Sequence, residues 1–199
     1  MIKNLIFDFG KVLVDYEYFA ILDQIFQTHE QAEEFYHLLI DGKWNERMDR
    51  GESFDETFAT MQRIMPQFEA EIAVVARRFN EFVRGEKEGM RDLLTRLKAE
   101  GYHLYGLSNW CTKVRETMAQ YPIFSLLEGE VISSEERIIK PDRAIYQRLC
   151  RKYDLLPEEC LFADDRMENV EAARQFGMQA ICFENAAQYE RELKKIICA

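Results

Sequence analysis

Short, nearly uninterrupted apolar runs alternate along this chain with longer stretches whose apolar residues recur every three or four positions. Residues 2–7, "YHLYGLS" at 102–108, "CLFA" at 160–163 and "QAICF" at 179–183 read as strands buried on both faces. Each of the last three follows a helical segment: "GMRDLLTRLKAEG" closed by Gly101, "KPDRAIYQRLCRKYD" opened by Pro141, and "DRMENVEAARQFG" ending at Gly177. Strands alternating with helices predict an α/β fold, a parallel sheet with helices on both faces. In such sheets the chemistry collects outside the carboxyl ends of the strands.

Residues 17–84 break the alternation. "YFAILDQIF", "QAEEFYHLLI", "SFDETFATMQRIM" and "AEIAVVARRFNEFV" are four helical stretches with no convincing strand between them, and they predict an inserted helical unit. Breaks fall near "DGKWNERMDRGES" and Pro66, and no Pro/Gly/Ser-rich linker follows, so the unit is expected to pack on the core. Trp44, Arg47 and Arg50 lie at the first break, where the insert would present them to the core. The C-terminal "AAQYERELKKIICA" reads as an amphipathic helix covering the sheet.

Composition narrows the function classes. With 199 residues and 47% hydrophobic content the chain suits one core domain with a modest insert. A formal net charge of −10 disfavours nucleic acid and anionic membrane as partners, because like charges would repel. Five scattered cysteines without a CxxC pair imply reduced thiols rather than a disulfide framework or a zinc cluster. Three dispersed histidines, His29, His37 and His103, offer no catalytic or zinc constellation. The apolar run at the N-terminus is too short for a signal peptide and no stretch approaches a membrane span, so a cytoplasmic monomer or weak homodimer is expected.

Polar residues gather where the strands end: Asp8 after the first, Ser108 and Asn109 after the second, Lys140 before a helix, Asp164 and Asp165 after a later strand. Singly each has a structural explanation, Asp8 as a turn residue, Ser108 and Asn109 as a helix entry, Lys140 as a solvated side chain, Asp165 as an N-cap. Jointly, at the ends of parallel strands, they point to phosphoryl chemistry. Asp8, Asp164 and Asp165 supply the hard oxygen ligands that Mg²⁺ takes. A lone carboxylate such as Asp8 is also a nucleophile able to form an aspartyl-phosphate. The Ser108 hydroxyl, the Lys140 ammonium and backbone N–H groups would hold the transferred phosphoryl group.

These residues, in this order, resemble the haloacid dehalogenase-like (HAD) hydrolases. "IFDFGKVLVD" is similar to their nucleophile loop, "LSN" to the Ser/Thr motif, "IIKPDRAIY" to the lysine motif and "LFADDRMENVEAARQFG" to the acidic metal motif. The resemblance implies a Rossmann-like core over 1–15 and 85–199 with an all-helical cap over 16–84. It makes Asp8 the nucleophile, Ser108 and Lys140 phosphate ligands, and Asp8, Asp165, Asp164 and the Gly10 carbonyl the Mg²⁺ ligands. "WNERMDRGE" at 44–52 further resembles bacterial enzymes acting on sugar phosphates such as glucose 1-phosphate. The expected activity is Mg²⁺-dependent hydrolysis of a small phosphorylated metabolite. Two positions depart from the family pattern. The second aspartate, usual two residues after the nucleophile and serving as general acid and base, is Gly10; the glycine usual after it is Lys11, a solvated loop residue or an added positive charge near the phosphate.

Two other readings compete. A 2-haloacid dehalogenase also uses an aspartate nucleophile and needs no metal, but the adjacent Asp164 and Asp165 would repel each other without a cation. A non-catalytic binding protein would keep the phosphate pocket, yet would have no use for the nucleophile Asp8.

Overall fold

A computed structural model describes residues 1–198. The chain opens with Asn4–Phe7 (β1), four buried residues that form the central strand. It then turns into a short strand, Val14–Tyr16 (β2), and enters the helical unit: Phe19–Ile25 (α1), His29–Ile40 (α2), Trp44–Asp49 (α3), Phe54–Ile64 (α4) and Glu69–Arg78 (α5). Val83–Glu86 (β3) brings the chain back. The remainder runs Met90–Ala99 (α6), His103–Ser108 (β4), Val114–Gln120 (α7), Gly129–Ile132 (β5), Ser133–Glu136 (α8), Arg143–Tyr153 (α9), Cys160–Asp164 (β6), Met167–Phe176 (α10), Gln179–Cys182 (β7) and Ala186–Cys198 (α11).

Local chemistry accounts for several of these boundaries. Thr28 accepts from the Gln31 N–H to start α2, and Ser53 accepts from the Glu56 N–H to start α4. Asp142 caps α9 through the Ala144 N–H at 2.9 Å, so the helix begins at Arg143, two residues beyond the expected Pro141. Gly177 ends α10 in the left-handed region, at φ +113°.

Five strands pair in the order β5-β4-β1-β6-β7, all parallel. Phe7 is in register with Gly106 of β4 and Ala163 of β6, so those strands run on past it by two residues and one, to Ser108 and Asp164. Leu5 and Phe7 face a cluster completed by Leu93, Leu94 and Leu97 of α6 and Tyr189 and Leu193 of α11. Ile6 faces the other way, onto a cluster containing Tyr146 and Leu149 of α9 and Val170 and Ala173 of α10. Leu5, Ile6 and Phe7 have no solvent exposure. Burial of such side chains contributes roughly 1.5–3 kcal/mol each, which offsets the cost of ending the strand on a carboxylate.

The helical unit has a core of its own, built from residues such as Phe35, Leu39, Met48, Phe58, Met61 and Ile72. Cys111, from the loop after β4, is buried in that same cluster, and Trp110 packs against both it and the sheet's core. The unit therefore rests on the sheet, as its linker-free sequence implies.

Elements beyond the sequence reading include β2, β3, β5 and α3. β2 and β3 pair antiparallel and form a ribbon at the base of the helical unit, where no strand was expected. β5 is a further strand at the sheet edge. The stretch "DGKWNERMDRGES", read as a break, contains α3. Among the described residues no helix is long and apolar enough to cross a membrane.

Candidate active site

Parallel strand order brings residues far apart in sequence to one point. Asp8 follows β1 and donates its backbone N–H to Ala163 O at 2.9 Å, extending the ladder by one residue. Its side chain is thereby set beside Asp164, the last residue of β6. Lys140 enters from the loop before α9. Its Nζ lies 2.8 Å from Asp8 Oδ1 and 2.7 Å from Asp164 Oδ2, and donates to Leu107 O at 3.0 Å. The ammonium is buried, not solvated. Burial pulls its pKa down, but Asp164 and Asp8 outweigh that and hold it above the ordinary lysine value.

Asp164 has its carboxylate fully engaged. Besides Lys140, its Oδ1 accepts from the Arg166 N–H at 2.9 Å, and the Asn169 amide donates to both oxygens at 2.9 and 3.1 Å. The N-cap of α10 is Arg166, with no side-chain cap bond, which corrects the N-cap reading of Asp165; Asp164 instead holds the Arg166 N–H just ahead of the helix. Asp8 Oδ1 accepts from the Phe9 N–H at 2.7 Å. Among the described residues nothing else donates to Asp8 Oδ2, and the Asp165 side chain is met only by its own backbone N–H.

Asp8, Asp164 and Asp165 each offer an oxygen within 4.8 Å of the others. Three carboxylates facing one ammonium leave the cluster net negative. Burial above all, together with the Asp164 charge, lifts the Asp8 carboxyl to about 7 against the opposing pull of Lys140. Burial and Asp164 also raise Asp165, while Lys11 and Lys140 lower it. An all-oxygen, net-negative cluster with free oxygens on Asp8 and Asp165 suits a hard divalent cation.

Ser108 is 1% exposed and its hydroxyl has no protein partner. A buried unpaired hydroxyl is costly and marks a place where a ligand oxygen would be welcome. Asn109 turns to the Lys140 backbone instead: its Nδ2 donates to Lys140 O at 3.0 Å and its Oδ1 accepts from the Lys140 N–H at 2.8 Å. It braces the loop that carries the ammonium. Lys11 adopts φ +61°, the left-handed region that favours glycine, and its Nζ lies over the Tyr16 ring at 5.6 Å.

Sequence reasoning missed four residues here. Asn169, which anchors Asp164, is 2% exposed; a polar residue beside Val170 on the buried face of α10 was the available signal. Tyr16 stands against Gly10, and Asn45 and Asp49 of α3 line the same cavity as Asp8, Gly10 and Asp165. Asn45 and Asp49 lie inside the stretch 44–52 already marked by its resemblance, which drew attention to Trp44, Arg47 and Arg50 instead, and Tyr16 reads first as a packing aromatic. Trp44, Arg47 and Arg50, the residues singled out in that stretch, are occupied otherwise. The Arg47 guanidinium sits 4.3 Å from the Trp44 ring centroid and pairs with Glu52, and Arg50 pairs with Glu46.

The family model described as haloacid dehalogenase-like hydrolase matches residues 2–177. The chain belongs to the haloacid dehalogenase-like hydrolase family. Among relatives of this family, a sesquiterpene phosphatase of Aspergillus oryzae is 26% identical over 200 residues, covering 98% of this chain and 96% of the relative. A D-ribitol-5-phosphate phosphatase of Bacteroides thetaiotaomicron is 23% identical over 208 residues, covering 99% of each chain. A chloroplast flavin mononucleotide hydrolase of Arabidopsis thaliana is 28% identical over 112 residues, 55% of this chain, which spans only 44% of that relative's length. A HAD-family enzyme of Bacteroides thetaiotaomicron, solved with magnesium and inorganic phosphate, superposes with a TM-score of 0.75 at 21% identity, covering 94% of this chain and 96% of the other. The last similarity establishes the shared fold.

Proposed function

We propose that this chain is a Mg²⁺-dependent phosphomonoester hydrolase acting through an aspartyl-phosphate on a small phosphorylated metabolite, a sugar phosphate among the candidates. The observation that carries the reading is the meeting of Asp8, Asp164 and Asp165 with the buried Lys140 at the ends of β1 and β6. Relatives named as phosphatases, and a fold neighbour that holds magnesium with phosphate, support it.

Asp8 Oδ2 and the Asp165 carboxylate would hold the metal directly, with the Gly10 carbonyl beside them and Asp164 behind as a charge anchored by Asn169. Bound there, Mg²⁺ supplies neutralisation of phosphate charge and draws nucleophile and phosphate together. The rest is done by the chain. Lys140 holds Asp8 in position through Oδ1 and presents positive charge toward the incoming phosphoryl group, and the Ser108 hydroxyl donates to a phosphate oxygen. Asp8 attacks phosphorus, the bond to the substrate oxygen breaks, and water later cleaves the acyl-phosphate to return the free carboxylate. The helical unit, proposed as a cap over 16–84, closes the far side of the cavity and selects the leaving group.

A dehalogenase would also use Asp8, but it would leave three carboxylates, Asp8, Asp164 and Asp165, with no metal ion to offset the charge that Lys140 alone does not balance. The test is phosphate release from a panel of sugar 1- and 6-phosphates with Mg²⁺ and with EDTA, alongside halide release from 2-chloropropionate. Expected are Mg²⁺-dependent phosphate release, its loss in Asp8→Asn, and a weakened Mg²⁺ titration in Asp165→Asn. Metal-independent halide release, or wild-type turnover in Asp8→Asn, would overturn the assignment.

A further inference from the structure

The leaving oxygen of a phosphate ester departs as an alkoxide unless a proton meets it, so the cavity beside Asp8 needs an acid. Most groups there are committed. Lys140 is locked between two carboxylates and a carbonyl, Asp164 accepts from every side, and Asp165 borders the metal position. Gly10 has no side chain, and a Cβ built on it would come 2.7 Å from the Tyr16 ring, so that ring already fills the space an acid on the nucleophile loop would need. Tyr16 itself is a poor proton donor, since burial first and then the nearby carboxylates push its phenol far above the ordinary range.

One acid remains on the cavity wall. Asp49, at the end of α3, comes from the helical unit and lines the same cavity as Asp8, Gly10 and Asp165. It is half-buried, and Asn45 one turn earlier donates to its Oδ2 at 3.1 Å, which fixes the carboxyl's orientation. We propose that Asp49 is the general acid and base of the reaction, delivered by the helical unit rather than by the nucleophile loop. The proposal rests on the phosphatase reading above.

In the first step Asp8 Oδ2 forms its bond to phosphorus as the bond from phosphorus to the substrate oxygen breaks. The Asp49 proton moves to that oxygen, leaving an alcohol and an Asp49 carboxylate. In the second step water attacks the phosphorus, its proton passes to Asp49, and the bond from phosphorus to Asp8 breaks, so both carboxyl groups regain their starting states.

The groups facing Asp49 are Asp8 from the end of β1, Glu46 on α3, Lys140 before α9 and Arg166 before α10, with Tyr16, Tyr18 and Cys111 nearby. Burial, with Asp8 and Glu46, lifts the Asp49 carboxyl to about 8 against Lys140 and Arg166. The shift is toward the protonated form, the one a donor to the leaving oxygen needs.

The experiment is rapid-mixing kinetics on the Mg²⁺-loaded full chain, with an alkyl phosphate and with p-nitrophenyl phosphate, in wild type, Asp49→Asn, Asp49→Glu and Asp8→Asn. In Asp49→Asn the alkyl ester, whose leaving group needs a proton, should lose about 10²- to 10⁴-fold in kcat. The aryl ester, whose leaving group does not, should keep its initial burst of nitrophenolate and then turn over slowly, because water still lacks a base. The wild-type alkyl-ester kcat/KM should fall at alkaline pH as Asp49 loses its proton, a fall that vanishes in Asp49→Asn and persists in Asp49→Glu. Equal losses on both esters with no burst, or alkyl turnover within about twofold of wild type, would overturn the role. Failure of the phosphatase reading shows differently, as Asp8→Asn retaining activity or wild type releasing no phosphate from any ester.

Discussion

The charged cluster at the sheet's end and the arginine pairs of α3 handle charge in opposite ways. On the sheet side, Lys140 and Asp164 are almost wholly removed from solvent, with side chains 1% and 0% exposed, and every oxygen of Asp164 is paired. On the helical side, α3 carries its arginines in ion pairs that stay about half exposed, Arg47 with Glu52 at 46% and 45%, Arg50 with Glu46 at 50% and 41%. The same residue types thus carry different energetic weight. Water screens the α3 pairs, and removing one partner leaves the other solvated. Removing a partner from the sheet-side cluster strands a charge where water cannot follow.

Lys140→Met tests that contrast most severely. Two carboxylates would lose their only ammonium, and a loss of about 3–5 kcal/mol of unfolding free energy is expected in a urea titration. A loss under about 1 kcal/mol would mean the cluster is no more demanding than a surface pair. Asn169→Ala comes next. It removes the amide that donates to both Asp164 oxygens, and hydrogen bonds to charged groups of this kind are worth about 1.5–3 kcal/mol. The same titration, run with Mg²⁺, should show the variant also binding metal less tightly.

The third prediction concerns pH. Asp8 has its folded pKa raised from 3.8 to about 7 in the metal-free protein. Its contribution to stability is therefore complete below the unfolded value and is lost as pH rises through about 7. The metal-free melting temperature of wild type should fall over that window relative to Asp8→Asn. Added Mg²⁺, which binds the deprotonated carboxylate, should restore it more at pH 8 than at pH 6. Parallel melting curves for the two proteins would remove the shift from Asp8. The smallest effect belongs to Arg47→Ala. Despite its carboxylate partner and its stacking on Trp44, the change should stay within about 1 kcal/mol by the same denaturation measurement. A larger loss would show that α3 is tied to the core more tightly than its exposure suggests.

Legibility followed the same division. β1, β4, β6 and β7 are visible as apolar runs because helices cover both faces of the sheet, so nearly every position must be apolar. β5 escaped notice because Gly129 and Glu130 at this sheet edge are half-exposed, which breaks the run. The ribbon of β2 and β3 is held by pairing between segments on either side of the helical unit, a contact no local window contains. Helix α3 has six residues, opens on Lys43 at φ +59° and has no side-chain cap, so neither periodicity nor capping announces it. Asp49 was hidden with it.

The sequence by itself determined the alternation of strands and helices, the helical insert, and the order in which Asp8, Ser108, Lys140 and the Asp164–Asp165 pair arrive at strand ends, because burial forces those patterns into the chain locally. Only the tertiary structure decided which charge each of them meets. Asp8, Lys140 and Asp164 come together through the order β4-β1-β6. The ring of Tyr16 against Gly10 and the carboxyl of Asp49 on the far wall depend on how the helical unit sits over the sheet. The reason is physical: the pKa and pairing of a buried group are set by neighbours within a few ångströms, and here those neighbours are brought in from distant parts of the chain.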